Sequence, residues 1–225
     1  MRSGISSAPG KPSLREVAYD KFKDALFAGI IRPGQMLSQR EICELIDVPL
    51  GPLREALKGL ENDGIVTLLA KRGVQVISVD EKMLNDAYDF RILIEGQAVA
   101  KFANEGPMET IKAIKKRTEE FVGKFKKSDP NDPAIFREKL EVDFMLHDTI
   151  MEFMGNPLMT RAFQQSSEQM RLFRLNIAKS QGYFDLPSLD EHMDILRALE
   201  KRDGKAAAKA MAKHLNGARE RAIGQ

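Results

Sequence analysis

Over the first third of the chain, apolar positions fall in short helical stripes and then in two strand-like runs. SLRE at Ser13–Glu16 has the Ser-x-x-Glu form of a capping box, in which side chains satisfy the free N–H groups of a starting helix. That helix is expected to run to about Gly29, with RPGQ as a turn. A second box, SQRE at Ser38–Glu41, opens a short helix through EICELI. After DVPLGP, a third helix is expected over LREALKGLEND, stopping at Gly64, with Leu53, Ala56, Leu57 and Leu60 as its apolar stripe. IVTLLAKRGVQVISV then supplies two β-rich runs around AKRG, a hairpin with Gly73 in the turn. Three helices and a hairpin in this order predict a winged helix-turn-helix.

From residue 80 the strand signal ends and the pattern becomes long segments of 3.6 periodicity. Breaks fall near NEGPM, SDPNDP, MGNP, FDLPS and KRDGK, leaving about six helices, enough to bury a core of their own. The expected fold class is therefore mainly α: a winged helix-turn-helix followed by an all-helical antiparallel bundle. Residues 1–12 read as a flexible tail of Ser, Gly and Pro, 13–79 as the winged domain, and 80–225 as the bundle.

Composition changes this picture little. The 225 residues are 43% hydrophobic and 30% charged, ordinary for a globular protein. No apolar run nears the ~20 residues that cross a bilayer, so no membrane partner is expected. The N-terminus lacks the apolar segment of a secretory signal, and a single cysteine, Cys43, suits a reducing cytoplasm. Net charge is +2, and residues 1–79 hold 11 Lys+Arg against 9 Asp+Glu, so charge alone does not argue for nucleic acid.

The three histidines do change it. On the third long helix Asp143 and His147 lie within the stripe Leu140, Phe144, Ile150, Met151 and Met154. His192 lies among Leu189, Met193, Leu196 and Leu199, and His214 among Ala207, Met211, Leu215 and Ala218. Four polar side chains from three helices thus point toward one core, where an unpaired carboxylate costs several kcal/mol. One cation held by Asp143, His147, His192 and His214 satisfies all four; hydrogen-bonded core histidines with a local Asp–His contact are the alternative. Arg91 similarly falls inside the stripe Leu84, Ala87, Tyr88, Ile94, Ala98 and Phe102. It is either one half of an i,i+4 pair with Glu95 or a fork for a ligand carboxylate. In a helix-turn-helix the second helix enters the major groove, so Arg54 is the candidate base or phosphate contact, with Arg40 bracing from the preceding helix. Lys71 and Arg72 at the hairpin tip suit phosphates or the minor groove.

GIIRPGQMLSQREICELIDVPLGPLREALKGLENDGIV and KRGVQV together resemble the winged helix of GntR-type transcriptional regulators. FRILIE at 90–95, DFMLHDTIMEFMGNPLM at 143–159 and EHMDILRALEKRDGKAAAKAMAKHL at 191–215 resemble the FCD ligand-binding domain of the FadR branch, nearest the shorter VanR-like subgroup. The resemblance implies a homodimer on double-stranded operator DNA, with Asp143, His147, His192 and His214 ligating a divalent ion, usually zinc or nickel. It implies that this ion anchors a small carboxylate metabolite, that Arg91 assists, and that effector binding releases the operator. Arg171, Arg174 and Asn176 on the fourth bundle helix are candidates for pocket specificity. The implied DNA-facing set is Arg40, Leu50, Gly51, Arg54, Lys71, Arg72 and Gly73.

One stretch departs from the family pattern. The recognition helix usually opens Ser-Arg-Thr-Pro-Val-Arg-Glu-Ala-Leu, whereas Pro49-Leu50-Gly51-Pro52-Leu53-Arg54-Glu55-Ala56-Leu57 stands here. Leu50 takes the place of an arginine, so an altered operator or a lower affinity is expected. The expected function is a metabolite-sensing regulator, in the repressor mode, rather than an enzyme. Two alternatives are a DNA-binding protein whose bundle only dimerises around a structural metal, and a metal-dependent hydrolase. Against the hydrolase, no Glu or fourth His on an inward stripe offers a general base.

Overall fold

The computed structural model describes residues 12–129, 132–181 and 187–223; the side chains of 133, 173–181 and 187 lie outside the description, as does nearly all of the expected tail. The chain divides into two compact units, Met1–Ser78 and Val79–Gln225, each with its own core.

In the first unit, α1 spans Leu14–Ala28, α2 Gln39–Ile46 and α3 Leu50–Asn62; the strands are β1 Met36–Leu37, β2 Val66–Leu69 and β3 Gly73–Val76. Both Ser-x-x-Glu boxes are formed: Ser13 and Ser38 accept from the amides of Glu16 and Glu41, whose carboxylates accept the cap amides in return. α1 ends where Gly29 takes the left-handed conformation (φ 75°) that a Cβ would strain. α3 begins three residues before the expected Leu53. Gly51 and Pro52 sit in its first turn, where the missing proline N–H has no helical partner to lose. Its stripe Leu53, Ala56, Leu57 and Leu60 is wholly buried and meets Phe22 and Leu26 of α1 in the same core.

The sheet holds one strand more than the expected hairpin. β1 pairs antiparallel with β3, Met36 opposite Gln75 and Leu37 opposite Val74, giving the order β1-β3-β2. Two residues are too short to carry an alternation, so periodicity could not show β1. Its mark lies in Gly73 instead. That residue has φ 110°, and a Cβ there would stand 2.5 Å from the carbonyl oxygen of Leu37. Only glycine admits the close approach of β1.

The second unit contains six helices among the described residues: α4 Glu81–Glu105, α5 Met108–Phe125, α6 Pro133–Phe153, α7 Pro157–Gln181, α8 Pro187–Glu200 and α9 Gly204–Ile223. α4 packs most extensively on α9 and also meets α6, α7 and α8, so its inward face borders most of the core. Arg202, in a left-handed turn (φ 57°) before α9, donates to the carbonyls of Ala103 (3.0 Å) and Gly106 (2.6 Å), closing the C-terminus of α4. The winged unit and the all-helical bundle together give the mainly α class. No described helix is long and apolar enough to cross a membrane.

Candidate metal centre and DNA-reading face

His147 of α6, His192 of α8 and His214 of α9 are all buried, and each turns Nε2 toward the others. Nε2 of His192 lies 3.2 Å from Nε2 of His147 and 3.2 Å from Nε2 of His214, and one ligand atom from each ring falls within 4.8 Å of the rest. Asp143 stands beside them: its Oδ1 is 3.8 Å from His192 Nε2 and accepts the hydroxyl of Ser188 at 2.9 Å.

Two carboxylates orient the rings from behind. His147 Nδ1 donates to Oε2 of Glu95, whose Oε1 accepts Nε–H of Arg91. His214 Nδ1 donates to Oε2 of Glu191 at 3.0 Å, and Arg221 grips both oxygens of Glu191 at 3.0 and 2.8 Å. Burial pushes both carboxyls up, but the partners outweigh it. The charges of Arg91 and His147 hold Glu95 at about 2, and hydrogen bonds from His214 and Arg221 hold Glu191 at about 2. An ionised carboxylate only accepts, so the proton on each of these imidazoles sits at Nδ1 and the neutral ring presents a lone pair at Nε2. Burial pushes His214 down, toward that neutral form.

The donor set fits a divalent cation. His192 Nε2 can carry at most one proton, which cannot satisfy the lone pairs of both neighbours at once. A cation accepts all three. Nitrogens about 2.05 Å from a tetrahedral zinc lie about 3.3 Å apart, close to the observed 3.2 Å spacings. Three imidazoles and a carboxylate suit zinc or nickel and not magnesium or calcium, which favour all-oxygen sites. Imidazole backed by carboxylate is also the usual outer arrangement of metal-bound histidine.

Arg91 is 2% exposed and serves Glu95 through Nε, while Nη1 lies 3.1 Å from Met170 Sδ. The rings of Phe144 and Phe163 lie 5.8 and 5.4 Å from its guanidinium carbon. Its Nη2 has no hydrogen-bond partner among the described residues, nor do Ser167 Oγ and Arg171 Nε, all buried atoms. Phe163, Ser167, Met170 and Arg171 recur at helical spacing on one side of α7, and Arg171 lies over the Phe144 ring at 4.2 Å. Arg171 also bonds Asp148 (3.3 Å) and Glu168 (3.2 Å). The side chains of Arg174 and Asn176 lie outside the described residues.

Two residues of this region escape a search centred on histidine. Ser167 reads as one small polar residue of a helix. Glu95 reads as a local partner of Arg91, and the expectation that no Glu lies on an inward stripe is corrected: Glu95 is wholly buried. Its place at four residues after Arg91 and seven before Phe102 was the available signal. Both its oxygens are committed to Arg91 and His147, so it is no general base.

In the winged unit, Arg40 is exposed and paired with Glu44 at 3.1 Å. Arg54 is exposed, and its Nε donates to Gln39 Oε1 at 3.0 Å, joining α3 to the start of α2. Leu50 and Gly51 are exposed in the first turn of α3. Lys71 (φ 62°) and Arg72 are exposed in the turn between β2 and β3, with Gly73 following.

A winged helix-turn-helix followed by an all-helical bundle defines a DNA-binding transcriptional regulator. The chain matches the gntR family of bacterial regulatory proteins over residues 14–76 and the FCD domain over residues 86–217, and it belongs to the FCD-containing branch of the GntR family. It is similar to the Uxu operon transcriptional regulator of Escherichia coli (strain K12), 27% identical over 89% of this chain and 83% of that protein. It is similar also to the gluconate operon transcriptional repressor of Bacillus subtilis (strain 168), 25% identical over 83% of this chain and 75% of that protein. In fold it resembles E. coli McbR/YncC, with a TM-score of 0.78 at 18% identity, covering 96% of this chain and 99% of that one. These relatives are regulators, and this chain is a transcriptional regulator and not an enzyme.

Proposed function

We propose that this regulator is a homodimeric repressor that senses a small carboxylate metabolite through a metal-centred pocket in its bundle. The observation that carries the reading is the convergence of three buried Nε2 atoms, two of them fixed by carboxylates bonded to Nδ1. His147, His192 and His214, with Asp143, would hold the ion, zinc by preference. Such an ion, when bound, supplies a Lewis-acid centre on which a carboxylate can be anchored.

The chain's own residues supply the rest of the pocket. Arg91 offers an unpartnered Nη2–H in an apolar setting, where a charge-assisted bond to a carboxylate is strong. Ser167 offers a hydroxyl and Arg171 an Nε–H on the neighbouring helix. The relatives' names support an acid, since one is the repressor of a gluconate operon. A repressor role and an operator-bound dimer follow the same relatives.

Elemental analysis of the purified protein, then melting with chelator and with D-gluconate or acetate added, tests the reading. A bound acid raises stability by mass action, about 2.7 kcal/mol at a hundred times Kd. Equal melting with and without chelator, together with no metal on analysis, refutes the metal. An acid that shifts melting but leaves operator affinity unchanged refutes the sensor.

A further inference from the structure

The first turn of α3 carries no side chain able to form a hydrogen bond. It reads Pro49-Leu50-Gly51-Pro52, and Pro49 makes no side-chain bond to the helix it caps. Leu50 is the first helical residue and 42% exposed, and no atom lies within 4 Å of where a Cβ of Gly51 would stand. The next outward side chain on that face is Arg54, four residues on, steadied by Gln39.

In a helix-turn-helix the N-terminal residues of the second helix meet base edges in the major groove. Hydrogen-bonded readout by side chains is not available to positions 49–52, which leaves apolar contact. Among the four bases, only thymine presents a methyl group in that groove. We propose that Leu50 reads a thymine by packing on its 5-methyl group. Four residues of helix rise about 6 Å, roughly two base-pair steps, so this thymine lies one or two pairs from the base met by Arg54. The partner is thus a duplex with a thymine fixed at one position of each half-site, and the gap left in polar readout becomes the source of specificity.

Replacing thymine by uracil removes only the methyl group and leaves base pairing and the protein intact. A duplex is first enriched from a random library by the full-length protein. Each thymine is then replaced in turn, and Kd is read by fluorescence anisotropy at one salt concentration. One position per half-site is expected to weaken binding roughly fourfold, the transfer value of one buried methyl. Leu50→Ala is expected to bind the thymine and uracil duplexes equally, with its melting temperature unchanged. If no thymine responds to loss of its methyl, or if Leu50→Ala keeps the full discrimination, the proposal fails while DNA binding stands. Failure to enrich any duplex overturns it from the other side, by removing the DNA contact on which it rests.

Discussion

Glu95→Gln keeps the shape of a side chain that α4 buries completely and removes the charge that two neighbours use. Arg91, itself 2% exposed, loses the anion facing its Nε, and His147 loses the acceptor that fixes its tautomer. Removing one partner of a buried ion pair costs about 3–5 kcal/mol, because the other charge stays buried without compensation. The carboxyl itself points to the same size. Its fall from the ordinary 4.5 to about 2 corresponds to about 3 kcal/mol of preference for the ionised form in the folded state. Against a domain stability of about 5–15 kcal/mol, that is a large fraction.

The assay is urea unfolding followed by circular dichroism in excess chelator, so that metal contributes nothing to the difference. Glu95→Gln should lower the unfolding free energy of the bundle by about 3 kcal/mol. The double variant Arg91→Met, Glu95→Gln should recover most of the loss, because removing both charges also removes their desolvation. A loss below about 1 kcal/mol in Glu95→Gln, or a double variant no more stable than the single one, refutes the account of a charge held in place by its partner.

Three further outcomes follow from the same contacts. His192→Ala takes away the ring that lies 3.2 Å from both others, so bound metal on elemental analysis and the chelator effect on melting should both disappear. Gly73→Ala places a methyl 2.5 Å from the Leu37 carbonyl at φ 110°, and should destabilise the winged unit by about 1–3 kcal/mol and weaken operator binding. Ser167→Val keeps the volume but removes the unpartnered hydroxyl, and should shrink the melting shift given by an effector acid while metal content stays the same.

How far the sequence could be read depended on how local the determining signal was. The two capping boxes, the Leu53–Leu60 stripe and the breaks at Gly106, Asp129 and Gly155 are written within a few residues, and each matches a helix end or a buried face. β1 was hidden because two residues have no period, and α3 began early because proline is tolerated in a first turn. The inward placement of His147, His192 and His214 was legible from the stripes they share. Their Nε2 convergence was not, since helical spacing fixes which face a residue lies on and leaves the order of helices around the core open. Glu191 was missed for that reason. It precedes His192 in sequence yet bonds His214, 23 residues away on another helix, and takes its charge partner Arg221 from there as well.

The centre is built from a unit that occurs twice: imidazole, carboxylate, guanidinium. In His214–Glu191–Arg221 the arginine is a clamp on both carboxylate oxygens. In His147–Glu95–Arg91 the arginine spends Nε on the carboxylate and keeps Nη2 free of any described partner. The difference matters for sensing. An acid that takes Nη2 draws on the guanidinium that also holds Glu95, and Glu95 orients the ring whose Nε2 faces the proposed ion. Effector and metal are therefore coupled through two bonds and one carboxylate. Linkage is reciprocal, so the factor by which metal raises affinity for an acid must equal the factor by which that acid raises affinity for metal. Calorimetric titrations of acid with and without zinc, and of zinc with and without acid, should return the same factor. In Glu95→Gln, with the bundle still folded, that factor should fall toward one. Equal coupling in the variant and the wild type would place the connection elsewhere, on direct contact between acid and ion alone.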